Sequence, residues 1–417
     1  MTARALVRAW NEFFFAPISP TPVALYRILY GGLNVANLVL MRGDWLTWFG
    51  PRGAVSAAAV QSVHATFPGL VPWPTLGVFS LLPHTDASVT AFYWIFLLAA
   101  VCVTVGLASR VSTIVVYICL VSMQARNPFI MNGGDQLLRV TGFFVMFAPV
   151  GAALSFDRLW RIWRGREALA VAPRIPWAQR MIQIQMAVMY IGTVWWKTLG
   201  DTWLDGTAVH YALGRLDVRR FPVPGLDNPL MIRLATWGTL LTEFSAGVLI
   251  WLRDLRYPVI LAAVALHLGI EYAMVIPLFE WIAIATFVTF IYPEDLARAW
   301  GWVRLHAGPW LGAPVTLVYD GASVRGVRAA TVLQAIDVFG RLRCIDLNSG
   351  SAPPITAGVA WSAGNGRLIV LSGGSARTGV AALRVIAPRV PLLWPLLPFS
   401  LLMPRPSAAA PTSPAIP

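Results

Sequence analysis

Of the 32 lysine and arginine side chains in this chain of 417 residues, only one is a lysine, Lys197. It ends an apolar run that includes Tyr190. A desolvated lysine gives up its proton far more readily than an arginine, which stays charged. Codon bias in a GC-rich genome explains the arginine excess. The one retained lysine therefore indicates a position where an amine is needed.

The segment after Lys197 is the densest group of polar residues in the chain. It holds Lys197, Asp201, Trp203, Asp205, Gly206, Thr207 and His210. Two interpretations are open. The acids solvate a loop and keep Lys197 charged, or Lys197 lies deep enough to lose its proton and act as a base, with an acid nearby to handle that proton.

Further ionisable side chains lie inside apolar runs, where such groups mark functional or internally paired positions. They are Arg27, Glu243, His267, Glu271 and Glu280. His267 and Glu271 are four residues apart and share one helix face. Two ligands are too few for a metal site, so no metal is predicted. His267 is either a functional group or an internally hydrogen-bonded packing residue.

Asp135 and Arg139 have the same spacing of four residues at the start of another apolar run. We favour a structural ion pair at a helix end for these two. The three cysteines, Cys102, Cys119 and Cys344, have neither disulfide nor metal-ligand spacing and are expected to be packing residues.

The composition predicts a membrane protein. Charged residues make up 12% of the chain and hydrophobic residues 57%, whereas soluble domains carry about 25% charged residues. Eight runs are candidate membrane spans of the bilayer core. They are 22–41, 88–107, 109–125, 134–152, 181–199, 230–251, 257–276 and 278–292. The stretch 70–83 is interrupted by prolines and predicts an interfacial or re-entrant segment.

Arginine clusters predict the orientation, because basic residues concentrate in cytoplasmic loops. They lie before the first span, in the loop 153–180, and at Arg253 and Arg256. Eight spans place all three clusters and both termini in the cytoplasm of a bacterial plasma membrane. The basic charge is thus a topology signal, and we expect a lipid bilayer as partner and no nucleic acid.

The chain divides into three parts that differ in composition and hydrophobic pattern. Residues 1–300 form the membrane domain, 313–403 a small α/β domain, and 404–417 a Pro- and Ala-rich tail expected to be disordered. The fold class is therefore an α-helical membrane bundle followed by a small α/β domain. In the latter, the strand 314–319, the helix 324–338 and the strand 342–346 predict a β-α-β unit, and 358–361 with 367–371 a later hairpin.

Several motifs of the membrane domain, in a shared order, resemble the HTTM (horizontally transferred transmembrane) domain, the bacterial relatives of vitamin K-dependent gamma-carboxylase. These motifs are Arg27-Ile-Leu-Tyr-Gly31, Trp48-Phe-Gly-Pro-Arg-Gly53, Arg126-Asn-Pro128, Asn132-Gly-Gly-Asp135, Ser155-Phe-Asp-Arg158, Gln179-Arg-Met-Ile-Gln183, Lys197 to Gly206, and Ala265-Leu-His267. The resemblance covers most of residues 10–295.

The resemblance implies a reduced, menaquinol-like quinone as cofactor, with Lys197 deprotonating the hydroquinone and His267 as the family's intramembrane histidine. It further implies cofactor-binding roles for Arg27, Asn127, Asn132, Asp135, Trp203 and Glu271. The carboxylase's large extracytoplasmic domain has no counterpart in these residues. The resemblance therefore implies quinol oxygenation more directly than carboxylation of peptide glutamate.

The C-terminal domain resembles a small thioredoxin-like oxidoreductase module of the DCC type, which opens with a strand and Asp-Gly-x-Cys-x-x-Cys. Here Asp320 and Gly321 are followed by Ser323 and Gly326 at both cysteine positions. Thiol exchange needs thiolates, so this domain is expected to be redox-dead, and its protein partner is unknown.

Three classes of function remain open. The first is a quinol-dependent membrane enzyme using Lys197 and His267. The second is a non-catalytic membrane scaffold with a redox-dead binding domain. The third is a transporter, since buried acids and histidine also suit a proton path, although no inverted repeat is visible.

Overall fold

The computed structural model describes residues 2–66, 77–83, 85–225, 227–349, 368–373 and 375–403. Of the stretch predicted as interfacial or re-entrant, only 77–83 is described, and it contains a 3₁₀ turn at Val78–Leu81. The predicted strand 358–361 and the predicted disordered tail lie outside the described residues.

The chain forms two compact units. Unit 1 comprises 1–157 and 172–293, and unit 2 comprises 158–171 and 294–417. Unit 2 thus includes part of the arginine-rich loop 153–180 as well as the C-terminal domain. In that loop, Leu159 packs on the core of the C-terminal sheet.

Unit 1 is helical. Its helices are α1 (Ala3–Phe15), α2 (Thr21–Met41), α3 (Trp45–Phe49), α4 (Ala57–Thr66), α5 (Asp86–Val105), α6 (Ser109–Arg126), α7 (Gly133–Val145), α8 (Phe156–Trp163, continuing into unit 2), α9 (Trp177–Thr198), α10 (Asp201–Leu204), α11 (Ala208–Gly214), α12 (Pro229–Gly247), α13 (Arg256–Ala273) and α14 (Phe279–Thr286). One core of buried aliphatic and aromatic side chains joins the long helices.

Helices occupy all eight predicted windows, but the windows differ in how well they suit a bilayer. Within the described ranges, two helices, α2 and α5, are long and apolar enough to cross a membrane by length and composition. The others are shorter or carry polar side chains: α9 includes Gln179, Gln183 and Lys197. Several of these polar groups face the protein interior. The eight-span topology therefore remains a prediction.

Helices α2 and α5 approach closely at a glycine. A Cβ on Gly31 would lie 2.6 Å from both the backbone nitrogen and the hydroxyl of Thr104. The adjacent Gly32 has no atom within 4 Å of the same position. The two glycines therefore differ: at Gly31 the missing side chain allows the helix contact, whereas at Gly32 it does not matter.

Unit 2 contains the expected β-α-β unit. After α15 (Pro293–Ala307) come β1 (Val315–Tyr319), α16 (Val324–Ile336), β2 (Leu342–Asp346), β3 (Ile369–Ser372), β4 (Ser375–Thr378), α17 (Gly379–Ile386) and α18 (Leu397–Leu402). The sheet order is β2-β1-β3-β4. Strands β1 and β2 are parallel, and β3 runs antiparallel to β1 and to β4.

Candidate functional site

A cavity of about 950 Å³ lies inside unit 1, between α7, α9, α11, α12, α13 and α14. Most of its wall is apolar, with side chains such as Leu137, Met189 and Leu266. The ionisable side chains that line it are Tyr190, Lys197, Glu243, His267, Tyr272 and Glu280. Ligand sites commonly combine apolar walls with a few convergent polar groups in this way.

Helix α9 carries the polar groups along one wall of the cavity. Tyr190, Thr193 and Lys197 all line it, and their spacings of three and seven residues place them on one face of the helix. Two turns separate Tyr190 from Lys197, about 10 Å along the helix axis at 1.5 Å per residue. The cavity therefore has two polar ends along α9, one at Tyr190 and one at Lys197, with Thr193 between them.

The first polar end is an ion pair between Lys197 Nζ and Glu243 Oε1, which joins α9 to α12. The ammonium also lies over the ring of Trp203, 4.6 Å from its centroid, where the electron-rich face of the indole attracts a cation. Glu243 is buried and Lys197 is about one-quarter exposed as a side chain, at 24%. The amine is thus held between a carboxylate and an aromatic ring at the cavity wall.

The acids that follow Lys197 in sequence do not pair with it. Asp205 accepts hydrogen bonds from the backbone and hydroxyl of Thr207, at 2.9 and 2.6 Å. Asp201 lies exposed in the first turn of α10. The partner of Lys197 comes instead from α12, 46 residues later, because tertiary packing brings α12 against α9.

The second polar end is a hydrogen-bonded chain of three side chains, here called the His267 triad. His267 Nε2 lies 2.6 Å from the Tyr190 hydroxyl, and His267 Nδ1 is hydrogen-bonded to Glu280 Oε2. All three members are buried, and Glu280 is completely so at 0% exposure. The Tyr190 ring stacks on Phe287, with centroids 5.9 Å apart.

Each polar end has one carboxylate oxygen that accepts no hydrogen bond from the described residues. Among the described residues, Glu243 Oε2 and Glu280 Oε1 are buried side-chain oxygens without a hydrogen-bond partner in the protein. Both glutamates line the cavity. A buried acceptor left without a donor is costly, so a ligand with hydroxyl donors would complete the site. An amphiphilic quinol, with an apolar ring system and two hydroxyls, fits this set of groups.

The structure brings three of the predicted site residues to this cavity, Lys197, His267 and Trp203. It places Glu271 elsewhere: this side chain pairs with Arg220 at 2.5 Å. His267 and Glu271 share a helix face, but their side chains pair with different partners. His267 takes its carboxylate from α14, and Glu271 takes its cation from the segment before α12.

The other predicted cofactor-binding residues make contacts within the protein. The Arg27 guanidinium is fully buried and donates to the carbonyls of Val150 at 2.9 Å and Leu154 at 2.5 Å. Asn127 donates to the Trp48 carbonyl and accepts from the Phe129 amide, both at 3.2 Å. Neither side chain lines the cavity, and their binding roles stay predictions.

Asn132 and Asp135 form a capping box at the start of α7. Asn132 Oδ1 accepts from the Gly134 amide at 2.7 Å, and Asp135 Oδ2 accepts from the Asn132 amide at 2.9 Å. The structural ion pair favoured between Asp135 and Arg139 is thus replaced by a cap, because free backbone N–H groups at a helix start are the nearer donors. The cap positions α7, whose first residue, Gly133, lines the cavity.

Tyr190 is a cavity residue that the sequence pattern did not predict, and the partners of the buried acids were not predictable from it either. Glu243 and Glu280 stood out as ionisable groups in apolar runs, but nothing local indicated which cation each would meet. One signal was available for Tyr190: it precedes Lys197 by seven residues, so both share a helix face.

In unit 2, Ser323 caps α16 by accepting a hydrogen bond from the Gly326 amide at 3.4 Å. Ser323 is thus the N-cap and Gly326 lies in the first turn of α16, which follows β1. Burial raises the pKa of the Cys344 thiol to about 11. Among the described residues, no three His, Cys, Asp or Glu side chains cluster as metal ligands.

The fold and the site together define a class: a helical bundle whose interior cavity has an apolar wall and buried ionisable pairs at two ends. The chain belongs to the HTTM domain family, which matches residues 15–295. That family is a gamma-carboxylase-like family of transmembrane proteins. Unit 1 coincides with most of the matched region.

A relative in Bacillus subtilis (strain 168) is the uncharacterized protein YitO. The two are 23% identical over 225 residues, which cover 48% of this chain and 71% of the relative. No solved structure matches the chain.

Proposed function

We propose that this protein is a multi-pass membrane protein of the bacterial plasma membrane that binds a reduced quinone in the cavity of unit 1 and promotes its oxygenation. The observation that carries the proposal is that the sole lysine and the buried His267 line one apolar cavity of about 950 Å³. The eight-span topology, with both termini in the cytoplasm, belongs to the same proposal.

The cavity suits a lipophilic ligand for physical reasons. An apolar ring and side chain bind favourably against its wall, because the apolar surfaces of both the ligand and the wall are removed from water. The two ends, Lys197 with Glu243 and the His267 triad, offer acceptors to hydroxyl groups. A sugar or nucleotide would leave many polar groups without partners against this wall.

Lys197 acts as the base in this proposal. The Lys197 ammonium first passes its proton to Glu243, and the neutral amine then takes a proton from one hydroxyl of the ligand and becomes an ammonium again. The quinol, when bound, would supply all four electrons that reduce O₂, two on its oxidation to the quinone and two on formation of the epoxide C–O bonds. The overall change is one quinol and one O₂ giving one quinone epoxide and one water. Trp203 covers the amine and limits its contact with water.

The decisive experiment is an oxygenation assay of the full chain in lipid nanodiscs. The protein is loaded with menaquinol without oxygen, exposed to O₂, and analysed for quinone epoxide by mass spectrometry. We expect epoxide with the wild type and loss of it in Lys197→Met. Arg220→Met is the matched control, because Arg220 is a cation paired with Glu271 and is not among the side chains lining the cavity. No epoxide with the wild type, together with no co-purifying quinone, would refute the proposal.

The second candidate function is a non-catalytic scaffold, and one observation favours it. Ser323 and Gly326, at the start of α16, stand where the resembling oxidoreductase module has its two cysteines. This helix follows β1 of the four-stranded sheet, whose order is β2-β1-β3-β4. We infer that unit 2 is a thioredoxin-like domain that has lost its chemistry and kept a binding role. A wild-type protein that retains quinone but makes no epoxide would support this alternative.

A further inference from the structure

The His267 triad is built for proton transfer and not only for packing. Glu280 is fully buried and lies against His267 Nδ1. A carboxylate only accepts hydrogen bonds, so Nδ1 carries the proton that it receives. Nε2 is then the acceptor for the Tyr190 hydroxyl, 2.6 Å away. The Tyr190 hydroxyl therefore donates its hydrogen bond to His267 Nε2.

This assignment leaves the Tyr190 oxygen with a lone pair and no proton to give to a ligand. Tyr190 and Glu280 both line the cavity. A ligand hydroxyl can donate to the tyrosine oxygen, just as another can donate at the Lys197 end about two helical turns away. The cavity thus has a proton acceptor at each end.

We propose that Tyr190 accepts the second hydroxyl of the quinol and relays its proton to His267. This inference rests on the proposed function. The ligand O–H bond breaks and a new O–H bond forms on Tyr190, while the original tyrosine proton moves to His267 Nε2. The product is an imidazolium paired with the Glu280 carboxylate, and no oxidant or other reactant is needed for this step.

The carboxylate explains why the relay ends at His267. Without Glu280, an imidazolium in an apolar interior would be strongly disfavoured by desolvation. The spare oxygen, Glu280 Oε1, is a buried acceptor without a partner among the described residues. Tyr190 touches the ligand in this scheme, whereas Glu280 is a positioning residue.

Two probes of nearly equal size separate the two ends of the cavity. 1,4-Dihydroxynaphthalene has a hydroxyl for each end, whereas 4-methoxy-1-naphthol has only one, which binds at the Lys197 end. Binding is measured without oxygen on the full chain in nanodiscs, with empty nanodiscs subtracted. We expect the wild type to bind the diol about tenfold more tightly, the factor that one hydrogen bond of about 1.4 kcal/mol gives.

Tyr190→Phe should abolish this preference by weakening the diol about tenfold and leaving the monoether unchanged. The phenyl ring keeps the stacking on Phe287. Tyr93→Phe is the matched control: Tyr93 is a buried tyrosine whose hydroxyl donates to the Leu38 carbonyl at 3.2 Å, and it does not line the cavity. It should retain the full preference.

Glu280→Gln provides a second test, because glutamine keeps the shape and removes the charge. We expect diol affinity to fall at least threefold with the monoether unchanged, whereas a purely structural role would weaken both probes. A preference for the diol that survives both Tyr190→Phe and Glu280→Gln overturns the relay and leaves the proposed function intact. If neither probe binds saturably to the wild type, the proposed function fails, and the relay with it.

Discussion

At the scale of single residues, the site depends on which carboxylate meets which base. Lys197 meets Glu243 and not the nearby Asp201 or Asp205. His267 meets Glu280 and not Glu271, one turn further along its own helix. A buried amine or imidazole needs an acceptor that is also buried, and the exposed loop acids do not provide one. Burial of the acid therefore decides the pairing of Lys197, whereas Glu271 is itself mostly buried and is paired with Arg220.

Lys197→Arg separates the charge of this residue from its ability to lose a proton. Arginine can keep the ion pair with Glu243, but it does not deprotonate in proteins. We expect quinol affinity to change by less than about threefold and epoxide formation to fall by about 10²-fold or more, the usual contribution of a general base. Binding and epoxide yield are measured on the same nanodisc sample. A variant that keeps more than a tenth of the wild-type yield would show that Lys197 is not the base.

At the scale of elements, the packing of α2 against α5 depends on a glycine at their closest approach. Gly31→Ala puts a methyl group 2.6 Å from Thr104, whereas Gly32→Ala meets nothing within 4 Å. Overpacking of this kind costs about 1–3 kcal/mol. We expect a lower unfolding temperature in detergent for Gly31→Ala only. Equal melting of the two variants would mean that α2 and α5 do not pack as described.

A second feature at this scale is the N-terminus of α16, where Ser323 is the N-cap. A thiol at a helix N-terminus is acidified by the helix dipole and by free backbone N–H groups. Ser323→Cys should therefore give a thiol that reacts with iodoacetamide at pH 7 at least about tenfold faster than Cys344, whose pKa is raised to about 11 by burial. Mass spectrometry of the two peptides, from one sample, measures both rates.

Ser323→Cys is the informative single substitution because the second cysteine position is crowded. A Cβ on Gly326 would lie 2.9 Å from the Asp320 carbonyl oxygen. Adding Gly326→Cys should therefore create a second thiol only at the cost of a shift in this turn. If the thiol introduced at 323 is as slow as Cys344, then the helix start is not the active-site turn of a former oxidoreductase.

At the scale of the whole molecule, the distribution of arginine predicts the topology. Segments rich in arginine stay in the cytoplasm, which predicts cytoplasmic termini and an external segment 200–228. Reporter fusions test this. Alkaline phosphatase should be active when fused after Asp217 and inactive when fused after Met403, and green fluorescent protein should show the opposite pattern. Phosphatase activity at both sites would overturn the eight-span arrangement.

The extent of sequence-based prediction differs between these scales. All eight apolar windows coincide with helices, and the β-α-β unit of the C-terminal domain is confirmed with both strands in parallel. These helices and strands are predictable from hydrophobic periodicity because that periodicity is a local property of the chain. The apolar windows do not predict α1, and the sequence pattern does not predict the capping box that Asn132 and Asp135 form.

The sequence by itself determined which residues are chemically unusual: one lysine, and a few buried acids and a histidine among apolar side chains. It determined the family as well, since the motif order is a property of the chain. Only the tertiary structure decided that Lys197 faces Glu243, that Tyr190 joins His267 and Glu280, and that these groups share one cavity. The reason is physical: partners 13, 46 and 77 residues apart meet only through helix packing, and no local pattern encodes it.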